Sequence, residues 1–378
     1  MDTYILSQRG LVEGSAYGFI FEFEELMARL CGSQILVPKA NGLTLWVEQQ
    51  SPKFATQFKK FISRTTGYYQ KFDPADFRAH QLKVLFVICL SAPALNMVTS
   101  IPNWRRQFDL VVGFVIDAWF LPSYPKETYQ FDHLFVPVLE AVDVIQQRFD
   151  LSVSLLPFGA DVLLHGTQSV NRPVDVMSFG RTPLNFHQAL SRTFNQPNSK
   201  MLYYRHPAVD RSWHPKNDRY ATRVDCEYRL LFHQMMRRSK IVLAFDPLYD
   251  TDQLYESHKV NTRPWHFPHS ILSLRWIEGV AAGCAILGKR PTTALADQAL
   301  NWDDATIDLP DDPQVWMDFT QKLLSDHDRL KAIHYRNYFE SLSRHDWRHR
   351  IRHMFETLHL TLPDLLLEEL NKIAQMCS

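Results

Sequence analysis

Short apolar runs rich in Val, Ile, Leu and Phe recur along the chain, separated by stretches with helical spacing. "KVLFVIC" (83–89) and "LVVGFVID" (110–117) show no polar alternation, as strands covered on both faces of a parallel sheet should not. A first set reads as strands at 3–8, 34–38, 83–89, 110–117 and 132–137, with helices over 17–31 and 51–66. Gly32 stands where a left-handed residue would end the first helix. A second set reads as strands at 174–180, 200–205, 240–246, 284–289 and 305–310. Its helices fall near 184–194, 221–239, 271–283, 312–325 and 327–343. Strand and helix alternating in this way predict α/β architecture with parallel sheets and crossover helices. The segment 152–166, a strand and then a Pro/Gly turn, marks the boundary. The chain thus reads as two doubly wound, Rossmann-like domains, 1–160 and 161–345, facing an interdomain cleft. Amphipathic helices over 346–378 could cross back onto the first domain.

Composition narrows the partners. The 378 residues suit two domains, and Lys plus Arg equal Asp plus Glu at 41 each. Such a balance gives no net field toward nucleic acid or an anionic membrane, so nucleic-acid binding is disfavoured. The opening "MDTYILSQRG" lacks the basic start and apolar core of a secretory signal. No apolar run approaches the roughly 20 residues of a membrane span. Five scattered cysteines without a CxxC pair read as free thiols. The expected location is cytoplasmic, with peripheral membrane contact left open.

"SLRWIEGVAAGCAILGKRP" (273–291) is followed by "ATIDLPDDPQVW" (305–316) and "RLKAIHYRNYFESLSRHDWRHRIRHMF" (329–355). Together they resemble the C-terminal half of GT-B glycosyltransferases of the glycosyl transferases group 1 type, including its spore-maturation-protein-like branch. Arg275, Glu278, Ala282, Gly283, the strand 285–288 and His345 carry the likeness. Leu156, Pro157, Gly159 and Asp161 resemble that branch's interdomain segment, and "SFGR" (178–181) resembles the opening of its second domain. The resemblance implies a GT-B fold that moves a sugar from a nucleotide-diphosphate-sugar donor to an acceptor hydroxyl. It also implies no essential metal and no resident cofactor. The nucleotide sugar is the expected partner; the acceptor (glycan, lipid-linked sugar, small molecule or protein) is not named by the sequence.

Each candidate residue has a plain alternative. The resemblance gives Glu278 the ribose hydroxyls of the donor, since a carboxylate can accept two hydrogen bonds from a vicinal diol. The alternative is an ion pair with Arg275, three residues earlier on the helix. Backbone amides of Ser270, Ile271 and Leu272, at the start of a helix, suit a diphosphate; Ser270 or Ser273 could instead be an ordinary N-cap. Arg181 is the candidate cation against the departing diphosphate, with Arg205 and His206 as strand-end companions. Surface Arg at a strand end is the alternative. In the loop "SQRGLVEGSAYG" (7–18), Gly10 and Gly14 permit close approach of backbone to a ligand. Glu13 and Asp117 are candidate general bases, though strand-end carboxylates are commonly only solvated or capping.

Many retaining members of the family carry a further Glu eight residues before the one matched by Glu278. Here that position is Ser270, which leaves retention or inversion undecided. His345, His349 and His353 recur at helical spacing but read as a solvated helix, and no metal site is expected. A catalytically silent GT-B-derived scaffold or sugar-binding protein, and a nucleotide-sugar epimerase, are the alternative functions.

Overall fold

A computed structural model describes residues 1–11, 17–43, 46, 68–74, 81–180, 182–206, 219–246 and 270–378, with backbone alone for 219–226 and Pro313. The chain divides into two units. The first comprises Met1–Leu156 with Val209–Arg229, and the second Pro157–Ala208 with Leu230–Ser378. The helix expected over 51–66 lies outside the described residues.

Eight strands belong to the first unit: β1 (Asp2–Leu6), β2 (Gln34–Leu36), β3 (Lys39–Ala40), β4 (Tyr69–Gln70), β5 (Lys83–Ser91), β6 (Leu110–Asp117), β7 (His133–Val136) and β8 (Ser152–Leu155). Six form one parallel sheet in the order β2-β1-β5-β6-β7-β8, and β3 pairs with β4 antiparallel. The polar-free runs noted above become its central strands: Val84–Ile88 in β5 are buried on both faces. Helix α1 (Gly18–Cys31) covers one face, with Phe23 edge-on to Phe114 at 5.8 Å. It ends at Gly32, whose left-handed φ of 64° lets its N–H reach the Ala28 carbonyl. Helix α2 (Val142–Phe149) follows β7. Two aromatics that could have been sugar platforms are packed internally: Trp104 lies on Phe131, and Tyr124 lies on Phe149 while donating to the Ala118 carbonyl.

In the second unit the strands are β9 (Val174–Ser178), β10 (Tyr203–Arg205), β11 (Ser239–Phe245), β12 (Ala285–Lys289) and β13 (Ile307–Asp308). All are parallel, in the order β10-β9-β11-β12-β13. Besides a single turn at Val162–His165, the helices are α3 (Leu184–Phe194), α4 (Arg219–Arg237, which ends in this unit), α5 (Leu274–Ala281), α6 (Ala294–Ala299), α7 (Pro313–Ser325), α8 (His327–Arg344), α9 (Trp347–Thr357) and α10 (Asp364–Cys377). Side chains of β11 divide by parity. Ile241, Leu243 and Phe245 join Phe186 of α3 and Trp316 of α7, whereas Val242 and Ala244 join Trp276, Ile277 and Val280 of α5. Because both faces are apolar, the strand reads as a continuous hydrophobic run rather than an alternating one.

Buried ionic chemistry anchors the C-terminal helices within this unit. Asp346 accepts from the backbone N–H of Val162 at 2.9 Å and from Arg348, whose guanidinium also reaches Asp161 at 2.9 Å and Glu369 at 2.5 Å. Burial works against the charge of Arg348, but Asp346 and Asp161 outweigh it and raise its pKa. The late histidines are occupied by backbone: His345 Nε2 bonds with the Ala299 carbonyl and His349 Nε2 with that of Leu342. Burial, with Arg350 nearby, pushes His345 down to about 3, so it is neutral at physiological pH.

Candidate functional site

From β9 the chain turns to β10 on one side, then returns to β11 on the other. That reversal is a topological switch point, and in open parallel sheets ligands bind outside the carboxyl ends of the strands at such a crevice. Phe179 and Gly180 follow β9 here, and Asp246 follows β11.

Gly180 has φ +61°, and a β-carbon on it would lie 2.6 Å from Nη2 of Arg275. Arg275, in the first turn of α5, thus reaches to the end of β9, with its guanidinium carbon 5.5 Å from the centre of the Phe179 ring. Phe179 packs edge-on against Phe232 at 4.6 Å, and His206 lies 5.4 Å from the same Phe232. The His206 N–H donates to the Ser178 carbonyl, and its Nδ1 hydrogen-bonds the Tyr204 hydroxyl at 3.1 Å. Arg205 is exposed at the end of β10. Desolvation lowers the pKa of His187, and the charge of Arg205 lowers it further. Arg275, Arg205 and His206 therefore share the mouth of one sheet.

Helix α5 is shorter than expected from its hydrophobic run. Ser273 is extended (ψ 160°), so the helix begins at Leu274, and a left-handed Gly283 (φ +72°) closes the turn after it. The turn is held by buried Arg172, which donates to the carbonyls of Ser239 and Ala282, and by His334, bonded to the Gly283 carbonyl at 2.7 Å. Trp276 to Ala281 are all buried, and Glu278 is among them with 6% of its surface exposed. Gly279 brings the helix close to the sheet: its missing β-carbon would meet Ile286 of β12 at 2.4 Å.

Neither serine caps α5 through its side chain. Ser273 makes no capping bond, and the Ser270 hydroxyl donates instead to Oδ2 of Asp246. Ser270 and Asp246 are both buried, Leu272 is buried, and Ile271 is partly exposed.

Three of the sequence candidates, Glu13, Gly14 and Arg181, lie outside the described residues. Gly10 and Asp117 are in the first unit. Gly10 takes a left-handed φ of +72° after β1, and Asp117 ends β6 in register with Ser91. The second unit brings together Arg205, His206, Ser270 and Arg275 at strand ends and puts Glu278 in the adjoining helix.

Two carboxylates went unnoticed in the sequence. Asp246 is the first polar residue after an apolar strand, a position that alone could have marked it. Glu24 sits at i+4 from Ile20 and i−3 from Met27, on the buried face of α1, so helical spacing places a carboxylate in the core. It accepts from Ser7 Oγ at 2.6 Å and Arg9 Nε at 3.1 Å, both on Oε2. Its Oε1 has no hydrogen-bond partner among the described residues, and burial pushes its pKa up to about 7. Arg9 is tied further to Glu25 and to the Phe21 carbonyl.

Residues 211–356 match the model of a family described as glycosyl transferase-like. HepE of Anabaena, whose crystal structure is a complex with UDP and glucose, is 12% identical, with a TM-score of 0.51 over 95% of this chain and 99% of that one. The UDP co-structure of S. aureus MnaA is also 12% identical, with a TM-score of 0.44 over 96% of this chain and 98% of that one. No curated protein matches the chain in sequence. The fold is GT-B, two Rossmann-like domains. The matched segment covers α5, β12 and β13. No helix among the described residues is long and apolar enough to cross a membrane.

Proposed function

We propose that the protein transfers a sugar from a nucleotide-diphosphate-sugar donor to an acceptor hydroxyl, without a metal ion, and that its second unit binds the donor. The observation that carries this reading is Glu278, a buried carboxylate held in α5 within the glycosyl transferase-like segment. A carboxylate there can accept two hydrogen bonds, and the vicinal hydroxyls of a donor ribose are suitable donors to it. Arg275 supports the same assignment: its guanidinium is fixed against Phe179 and Gly180 at the switch point, where it would offset charge on the diphosphate. Arg181 and Arg205 are proposed to add to that field, His206 to line the site, and the amides of Ile271 and Leu272 to face the phosphates. Gly10 and Gly14 are proposed to let ligand approach the first unit's loop, and Glu13 or Asp117 to take the acceptor proton. HepE was solved with UDP and glucose, so UDP and UDP-sugars come first as probes. Calorimetric titration with UDP-, GDP- and dTDP-sugars, with and without EDTA, tests the reading. Binding and donor hydrolysis unchanged by EDTA are expected; no binding of any of these would refute it, and a requirement for a divalent cation would refute the metal-free form.

A further inference from the structure

Glu24 and the segment that follows β1 are not used by the donor-binding scheme above. Glu24 is fully buried on α1, and Ser7 is fully buried beside it. One carboxyl oxygen, Oε2, takes both the Ser7 hydroxyl at 2.6 Å and Arg9 Nε at 3.1 Å. The other, Oε1, has no hydrogen-bond partner among the described residues. Arg9 lies across α1 as a strap. Besides Glu24 it reaches Glu25 and the Phe21 carbonyl, and its guanidinium carbon is 5.1 Å from the centre of the Phe21 ring. Its backbone N–H donates to the Ser7 hydroxyl at 3.1 Å, and the Leu11 N–H closes a turn onto the Gln8 carbonyl at 3.0 Å. The strand end behind the strap is anchored. Ser7 N–H donates to the Leu36 carbonyl, and Gln8 Oε1 accepts from the Leu90 N–H. Release is thus confined to residues 9–11, where Gly10 at φ +72° has open space on the side a β-carbon would occupy.

This bonding pattern ranks the two forms of the carboxyl. As a neutral acid it leaves one O–H donor unmet. Ionised, it leaves a charged oxygen where water does not reach, which costs more. The groups facing it do not reverse that order. Arg9, from the segment after β1, is shared with Glu25 of α1, whose charge opposes ionisation. Cys89 of β5 supplies no cation, because burial first, then the charges of Asp117 of β6 and Glu24, keep its thiol protonated. Burial is the largest influence on Glu24 and moves its carboxyl up to about 7. With water at both oxygens it returns toward its ordinary 4.5. Protonation therefore favours the closed arrangement and ionisation an open one, although ionisation strengthens the single bond to Arg9.

We propose that Glu24 and Arg9 form a proton-controlled latch that holds residues 9–11 against α1, closed when the Glu24 carboxyl is protonated and released when it ionises. The latch is independent of the donor-binding reading. It puts the segment carrying Gly10, where the first unit is proposed to admit ligand, under the control of pH in the neutral range.

Amide hydrogen exchange of the full chain tests it, read at Arg9 and Leu11 from pH 6 to pH 8 and corrected for the intrinsic rate at each pH. Wild-type protection at these amides is expected to fall about tenfold over that range, the ratio set by titration at 4.5 when open and about 7 when closed. Low concentrations of urea should leave this exchange unchanged, as for a local opening that exposes little surface. Glu24→Gln, which keeps a carbonyl oxygen for Ser7 and Arg9 but does not titrate, is expected to show protection independent of pH. Arg9→Met, which removes the strap, is expected to lower protection at Leu11 several-fold already at pH 6. Wild-type protection that is flat or rises with pH would overturn the latch. So would exchange that urea speeds as strongly as that of β6, a wild-type slope kept in Glu24→Gln, or full Leu11 protection in Arg9→Met. If Glu24→Gln does not fold, the wild-type profile and Arg9→Met decide.

Discussion

Arg275 occupies the space that a side chain on residue 180 would need: a β-carbon there would lie 2.6 Å from its Nη2. Gly180 is also held at φ +61°, where an L-residue is strained. Sequence, backbone and a fixed charge therefore meet at one position. Replacing Gly180 by Ala should cost about 1–2 kcal/mol from the left-handed backbone alone, and should also push Arg275 off the Phe179 ring. Urea denaturation is expected to show that loss, and calorimetry a weaker affinity for nucleoside diphosphate. Full stability with unchanged affinity would contradict the arrangement.

Glu24 gives the protein a pH dependence of definite sign. Its carboxyl titrates near 4.5 when exposed and at about 7 in the fold, mainly through burial, with Ser7 and Arg9 opposing the shift and Glu25 adding to it. Between those pH values the folded state holds the extra proton, so this group's contribution is most favourable below pH 4.5 and declines as pH rises to about 7. The decline is on the order of 3 kcal/mol. Glu24→Gln cannot titrate. Its stability relative to wild type should therefore improve steadily from pH 5 to pH 8 in denaturation experiments, and a pH-independent difference would show the carboxyl to be unshifted.

Arg348 is shared by Asp346, Asp161 and Glu369, with Asp346 fully buried. Arg348→Met leaves that carboxylate without its cation and should destabilise the protein by about 3–5 kcal/mol. The double change Arg348→Met with Asp346→Asn should recover part of the loss, since the uncompensated charge is then gone. Chemical denaturation of both variants checks this, and a double variant no better than the single would put the cost in packing instead.

Legibility in the sequence followed the range of the interactions. The long apolar runs of β5, β6 and β11 and the Gly-terminated α1 were readable, because each is decided by neighbours in the chain. Element ends were less so: the helix expected over 271–283 is Leu274–Ala281, since the extended Ser273 delays its start. The strand expected over 305–310 pairs only at Ile307 and Asp308. The motif around Glu278 was readable, but Ser270 was read as a diphosphate-facing amide, as an N-cap or as a departure from a family pattern. Its hydroxyl proves to be bound to Asp246, 24 residues earlier, and nothing in local spacing announces such a partner. Buried Arg172, which gathers carbonyls from three separate segments, was invisible for the same reason.

The central claim is that Glu278 is a donor ligand and not merely a buried helix carboxylate. Titrating wild type and Glu278→Ala with the tightest-binding nucleoside diphosphate tests it most directly, with thermal unfolding of both as the control for folding. A loss of about ten- to a hundredfold in affinity is predicted, the size expected for removing hydrogen bonds to a charged group. A folded variant that binds the nucleoside diphosphate as tightly as wild type would contradict the account.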